Sequence, residues 1–309
     1  MNVAQQQLAY MAFEAAFGLL FKSGKIPAIT SIAEPVTSNN VNMYYPHLGA
    51  MPRMTIQDGR ADETPPAVMS SFLLKNRRWA SKVPILKLYF LADGANEAVQ
   101  QAAQLLADAA VMWPVLPIFH VLNNVNDGGT AYTGYDGQPL FSTSHKDGGK
   151  PQNNTGTGTA LSSYQSTTLA VAETAAGQDL AAAAMAMAKF TDNLGQVIYG
   201  IGPDTVLVPA ATPSMFYAFT QLLKSGILLE SPTWQGMIKR VIIDPYASAG
   251  VVRYLCTERA VKPVLWQTLQ GVHINPPANW NGAVIDFEAE AYGAYGVGDW
   301  RCAYQLTSS

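Results

Sequence analysis

Pro139-Leu-Phe-Ser-Thr-Ser-His145, a Gly- and Asn-rich tract, an Ala/Met-rich run, Pro203-Asp-Thr-Val-Leu-Val-Pro209 and Pro213–Lys224 follow one another, and this stretch decides the fold. The Ala/Met-rich run opens at Ser162 or Ser163 and places Leu169, Ala172, Ala176, Leu180, Ala183, Ala184 and Met187 three and four residues apart, predicting an amphipathic helix to about Phe190. Gly177 weakens that helix by about 1 kcal/mol relative to Ala, so a break is expected there. Val206–Pro209 has the length and apolarity of a buried strand. Thr212 and Pro213 predict the next helix start, with Thr as N-cap and Pro at the first helical position, and Gly226 closes that helix. Loop, long helix, strand and capped helix succeed one another, and no cluster of reactive side chains interrupts them.

Upstream, residues 6–21 read as a helix that is apolar nearly all round, with Leu8, Met11, Phe13, Phe17, Leu19, Leu20 and Phe21 against a lone Glu14. Such a helix is buried or covers a partner. An extended tract with Pro27 and Pro35 follows, then Tyr44–Arg53 and a second strand-like run separated by the turn chemistry of Asp58-Gly-Arg-Ala-Asp-Glu-Thr-Pro-Pro66. Val83, Ile85, Lys87 and Tyr89 alternate in part. Asp93 is a candidate cap for a helix to Trp113, with Val99, Ala102, Ala103, Leu106 and Ala110 on one face and Pro114 as its stop. At 1.5 Å per residue that helix spans about 30 Å. Pro117–Asn124 reads as a short buried segment, and Lys146–Gly158 as an exposed polar loop.

Downstream, Val241–Ile243, Val251–Leu255 and Lys262–Leu269 read as strands. The chain ends with an alternating run around Val284, Asp286, Glu288 and Glu290, a Gly-rich turn at Tyr292–Gly298, and a final strand Trp300–Leu306. Glu288 and Glu290 read as charges on a solvated edge.

Of the 309 residues, 49% are hydrophobic and only 13% charged, against a typical charged share of about 25%. The net charge is −3 and no basic stripe marks a nucleic-acid footprint. A low-charge surface suits a chain much of whose exterior is covered by other subunits. Cys256 and Cys302 lack metal-ligand spacing and read as two packed thiols of a reduced cytosolic protein, with a single disulfide as the open alternative. His47, His120, His145 and His273 are scattered, and the Gly pairs lack the phosphate-loop pattern. No cofactor and no metal site are expected. The apolar run 8–21 lacks a basic leader and is too short to span a bilayer, so no membrane is expected.

Taken in order, Pro-Leu-Phe-Ser-Thr-Ser-His145, the long helix, Pro203-Asp-x-x-Leu-Val-Pro209 and a helix ending in Leu222-Leu-Lys-Ser225 resemble the major capsid (major head) subunit of Mu-like tailed bacteriophages. Tyr45, Leu48, Gly49, Pro52, Gly59 and Arg60, and the return run Phe72–Arg78 with Asn76-Arg77, sit at places that match that family's extended loop. Asp93-Gly94 stands where family members carry two acidic residues. The resemblance spans almost the whole chain and implies an α+β fold of the Hong Kong 97 type. It implies an N-terminal arm (1–42), an extended β-hairpin loop (43–84), a peripheral domain with a long spine helix (85–196 plus 286–309) and an axial domain (197–285).

The same resemblance implies a structural protein, not an enzyme, that self-assembles as hexamers and pentamers into an icosahedral head shell. The shell would enclose double-stranded DNA without sequence-specific binding. Portal, scaffold and maturation protease are implied during assembly, with a decoration or cement protein as a further partner. The expected place is the virion, after assembly in the cytoplasm of the bacterial host. Leu8, Phe13, Phe17, Arg53 and Arg60 are the candidates for subunit-interface contacts. Two alternatives stand beside it: a non-viral encapsulating shell of the same fold, and a hydrolase using Ser144 and His145. The second lacks a Gly-x-Ser-x-Gly elbow.

Overall fold

Two β-sheets divide the body of the protein, and the helices are distributed between them. The computed structural model describes residues 3–25, 27–48, 69–90, 95–126, 132–147, 150–166, 168–225, 237–278, 280 and 282–308. The first sheet has four strands, numbered in chain order: β1 (Ala33–Thr37), β4 (Arg77–Leu86), β11 (Val264–Asn275) and β12 (Val284–Val297). Their spatial order is β1-β11-β12-β4, with β1 parallel to β11 and the other pairs antiparallel. Pro35 lies in β1, an edge strand, where a missing N–H costs the ladder nothing on its open side.

Helices α1 (Val3–Ser23) and α2 (Ala95–Met112) cover one face of this sheet. Their shared core joins Phe13 and Phe17 to Val99, Ala103, Leu106 and Phe287. The Phe13 and Phe287 rings stack at 4.0 Å. The buried positions Val99, Ala102, Ala103, Leu106 and Ala110 are those that the three-and-four spacing selects. The expected cap Asp93 lies outside the described residues. After a two-residue turn at Trp113-Pro114 the chain re-enters helix as α3 (Val115–Asn123), closed by Asn124 in the left-handed region at φ 50°. The expected buried segment is thus helical, with Pro117 in its first turn, where no intrahelical N–H is lost.

The second sheet has five strands in the order β7-β13-β10-β8-β9. They are β7 (Thr155–Thr157), β8 (Thr205–Pro209), β9 (Arg240–Asp244), β10 (Val251–Leu255) and β13 (Ala303–Thr307). Every residue of β8 is buried, as its continuous apolar run predicts. Helices α4 (Leu161–Tyr164), α5 (Leu169–Met187) and α6 (Pro213–Ser225) pack with α3 and this sheet into the larger core. Two smaller antiparallel pairs complete the fold: β2 (Asn42–Leu48) with β3 (Met69–Lys75), and β5 (His145–Asp147) with β6 (Lys150–Gln152).

Several local expectations give way. The Ala/Met-rich helix breaks before Leu169 rather than at Gly177, which α5 buries in its interior. The Thr212 hydroxyl is buried without a hydrogen-bond partner, so the start of α6 relies on Pro213 and on the Met215 N–H to Thr212 carbonyl bond, not on a side-chain cap. The tract from His145 forms three short strands: β5 and β6 pair with each other, and β7 finds a parallel partner in β13, 150 residues away in sequence. Tyr292–Gly298 is not the expected turn. β12 runs through it to Val297, and the glycines answer to close approach. A Cβ on Gly293 would sit 2.5 Å from the Gln267 carbonyl oxygen, and one on Gly298 would collide with the Lys262 carbonyl. The real turn is a 3-10 segment at Trp300–Cys302.

That turn passes the chain from one sheet to the other, so the last two strands do not pair with each other. Glu288 and Glu290 consequently sit on an interior strand rather than a sheet edge, and Arg78, Lys82 and His273 from the flanking strands pair with them. Residues 264–275 belong to the four-stranded sheet, and 303–307 to the five-stranded one.

Candidate assembly surfaces and the buried polar core

Helix α1 has apolar residues on both sides and uses one side internally. Phe13 and Phe17 are buried against α2 and β12, while Leu8, Met11 and Leu19 are 67%, 64% and 73% exposed. Met112 and Leu116, at the junction of α2 and α3, are exposed as well. Beside them an open apolar groove is lined by Ala28, Ile29, Val115, Phe119, Ile243 and Tyr246. It runs along β9, the outer strand of its sheet, whose far edge is unpaired among the described strands. Exposed apolar surface of this extent marks an interaction face.

The β2–β3 ribbon is a second projecting element. Its base is anchored to the four-stranded sheet by the Tyr45 hydroxyl, which donates to Gln267 Oε1 at 2.7 Å, and by the Tyr45–Phe72 ring stack at 5.4 Å. Asn76 receives Gln267 Nε2 at 2.7 Å and donates to the Asn40 carbonyl at the same distance, fixing the ribbon's root. One pair nearer the root, Tyr44 and Leu73 face solvent. Arg53 and Arg60 lie between the two strands in sequence and outside the described residues.

Inside the body, charged groups are buried in pairs. Arg301 grips Asp299 with Nε and a terminal nitrogen at 2.8 and 2.9 Å, and reaches Asp147 at 2.8 Å. Burial pushes Asp147 up to about 6; Arg301 opposes this, and Asp299, Asp192 and Asp136 reinforce it. Arg253 bridges Asp244 and the Asn123 side chain, tying β10 to β9 and α3. Asp179 on α5 accepts from the Thr159 amide and hydroxyl and from the Tyr164 hydroxyl.

His145 is fully buried and stacked 4.3 Å from Trp300. Its Nδ1 lies 2.6 Å from Asp136 Oδ2 and its Nε2 3.2 Å from the Leu140 carbonyl. Burial alone would raise Asp136, but the hydrogen bond from His145 and the Gln138 N–H hold it below the ordinary carboxylate value. Both ring nitrogens are taken up by acceptors, so no imidazole lone pair faces Ser144. The Ser144 hydroxyl instead contacts Ser142 Oγ at 3.2 Å. A nucleophile–base pair needs the opposite arrangement. The segment is a structural brace.

Residues 88–306 match the family described as phage capsid protein. The chain belongs to that family. This phage capsid protein is therefore structural and not an enzyme, and the hydrolase alternative falls on sequence as well as on geometry. No curated protein matches the chain by sequence. Among solved structures, the procapsid of bacteriophage JBD30 superposes with a TM-score of 0.54 at 14% identity, over 100% of this chain and 77% of that one. The virus-like particle from Pyrococcus furiosus gives 0.53 at 11%, over 95% and 97%. The capsid of Myoviridae phage XM1 gives 0.52 at 9%, over 93% and 94%. At these identities the likeness is one of fold, and it is the Hong Kong 97-type α+β fold.

Of the five interface candidates of the capsid protein, Leu8 lies on the outward face of α1, Phe13 and Phe17 lie beneath it, and Arg53 and Arg60 are outside the described residues. Sequence reasoning missed the groove beside β9, because Ile29, Phe119 and Ile243 come from three distant segments. It also missed the Arg301 and His145 clusters, whose partners are not spaced by any motif.

Proposed function

We propose that this capsid protein is the major head subunit of a tailed, Mu-like phage, assembling as hexamers and pentamers into an icosahedral shell around double-stranded DNA. The observation that carries the proposal is α1, which completes an internal core with one face and leaves Leu8, Met11 and Leu19 outside. An apolar face left over after the core is closed has a neighbour as its natural cover. A charged share of 13% fits a surface mostly hidden by copies.

In this proposal residues 1–42 form the arm and 43–84 the extended loop. Residues 85–196 with 286–309 form the peripheral domain, and 197–285 the axial one. Leu8 makes direct intersubunit contact, Arg53 and Arg60 act from the loop, and Phe13 and Phe17 support the arm from beneath. Weak contacts suffice because each subunit makes many and closure multiplies them. Assembly takes place in the host cytoplasm with a separate scaffold, a portal and a maturation protease, and a decoration protein binds the finished shell.

Negative-stain microscopy with size exclusion tests this, first on the chain alone and then with a scaffold co-expressed. Closed shells, tubes or capsomer rings are expected. Absence of particles under both conditions would overturn it. Shells that package protein and no nucleic acid in the infected host would point to an encapsulating compartment instead.

A further inference from the structure

The two cysteines, 46 positions apart in the chain, meet where two connections between the sheets run side by side. One connection leaves β10 for β11 and the other brings β12 into β13. Leu255 and Ala303 are the last ladder pair of β10 and β13, and Cys256 and Cys302 are the next residues facing each other beyond it. The Cys256 N–H donates to the Cys302 carbonyl at 2.8 Å while the Cys302 N–H turns to the Asp299 carbonyl, so one of the two bonds of a hydrogen-bonded pair continues the ladder. Opposed residues of such a pair project from the same face, with Cα atoms about 5.5 Å apart. That spacing lies inside the roughly 4.4–6.8 Å that a disulfide spans. Both thiols are free and buried, and the Cys302 thiol donates to the Val261 carbonyl at 3.5 Å.

We propose that Cys256 and Cys302 are a disulfide-forming pair, closed by a hydroperoxide into a covalent staple across the two crossovers. Cys256 attacks first. The neighbouring Cys302 side chain draws its thiol down to about 7 against the opposing effect of burial, with the Gly202 N–H helping. The Cys256 thiolate attacks one oxygen of the peroxide, the O–O bond breaks, and a sulfenic acid forms with release of water or an alcohol. The Cys302 sulfur then attacks the Cys256 sulfur, the S–O bond breaks, and hydroxide leaves with the Cys302 proton as water. Two thiols are oxidised, one peroxide is reduced, and no other reagent is required.

The staple would join the exit of β10 to the entrance of β13, beside the Gly298 N–H to Pro263 carbonyl bond that already links the crossovers. Inside a reducing cytosol the pair stays open; an oxidising exterior closes it. The full chain treated with hydrogen peroxide under native conditions, then denatured and alkylated, should lose two hydrogens in intact mass and yield a peptide joining Cys256 to Cys302. Its Tm should rise by about 5 °C and return on reduction. In C302A, peroxide should stop at a sulfenic acid on Cys256, captured by dimedone; C256A should show no such adduct. Two free thiols after peroxide, irreversible sulfinic or sulfonic acids without a crosslink, or disulfides only between chains would each overturn the proposal.

Discussion

Helix α1 and the turn at Trp300 each hold distant parts of the chain together, and they do so by different means. α1 rests on its neighbours mainly through Phe13, Phe17 and Phe287, and the Tyr10 hydroxyl donates to the Ile274 carbonyl at 3.1 Å. The Trp300 turn is held by directed bonds on every side. Trp300 Nε1 donates to the Tyr135 hydroxyl, Asn154 donates to the Trp300 carbonyl, and Arg301 spans Asp299 and Asp147. Apolar contact rewards burial without naming the partner. A satisfied buried polar cluster admits one arrangement, because any other leaves charges unpaired. The contrast suits a shell subunit: a body with one geometry, and a helix whose apolar faces fit its own chain or a copy.

The largest effect should come from removing the directed side of this comparison. Arg301→Ala leaves Asp147 and Asp299 buried without their cation, which costs about 3–5 kcal/mol. Urea denaturation of the isolated subunit should show the midpoint fall, with the five-stranded sheet losing hydrogen-exchange protection. An unchanged midpoint would mean that water satisfies the carboxylates and that the cluster does not specify the turn.

Phe13→Ala attacks the other side and should cost about 3 kcal/mol, since a fully buried ring is deleted. The loss should be local. Amide exchange should rise along α1 and the facing surface of α2 while β8 and β10 stay protected. Equal loosening of both sheets would show that α1 is part of the same cooperative unit as the body.

How much of this contrast is legible in sequence follows from the range of the interactions. α2 could be read residue by residue, since a helix buries positions at its own period and Val99, Ala103 and Leu106 announce them. So could β8, where an apolar run between prolines has the length of a strand. Gly293, Gly296 and Gly298 looked like a turn because glycine has two uses; only the placement of Gln267, Leu74 and Lys262 opposite them reveals the second. The expected loop 146–158 failed for a related reason, because β7 is a strand by virtue of β13 alone. For the assembly surfaces, the sequence showed that α1 was apolar all round. It could not say which side would be used at home, and that choice separates Phe13 from Leu8.

A smaller effect separates the partners within the polar cluster. Asp147 has a folded pKa of about 6 against the ordinary carboxyl value of 3.8, because burial disfavours its charge. The folded state therefore holds this proton more tightly. The contribution to stability is fully present below the unfolded value and is lost as pH rises through about 6. Asp147→Asn removes the titration while Arg301 keeps both oxygens of Asp299. Stability of the parent minus that of the variant should decline between about pH 4 and 6 and stay flat above. A difference that grows with pH in this window would show that the Arg301 pairing outweighs burial.

The smallest expected effect on the isolated subunit is also the one that bears most on assembly. Leu8→Asp places a charge where the side chain is already two-thirds exposed, so its cost to folding should be within about 0.5 kcal/mol. In a shell, the same charge would be buried in every copy of the contact, and burying an unpaired carboxylate is costly each time it occurs. Particle yield should therefore collapse in a subunit whose urea midpoint is unchanged, and Leu19→Asp should behave alike from the other end of the outer face. Phe17→Asp, by contrast, should lower the midpoint and the yield together, because its site is interior. If Leu8→Asp and Leu19→Asp assemble normally, the outward face of α1 is not an interface, and the groove along β9, with Ile243 and Tyr246 at its rim, becomes the surface to charge next.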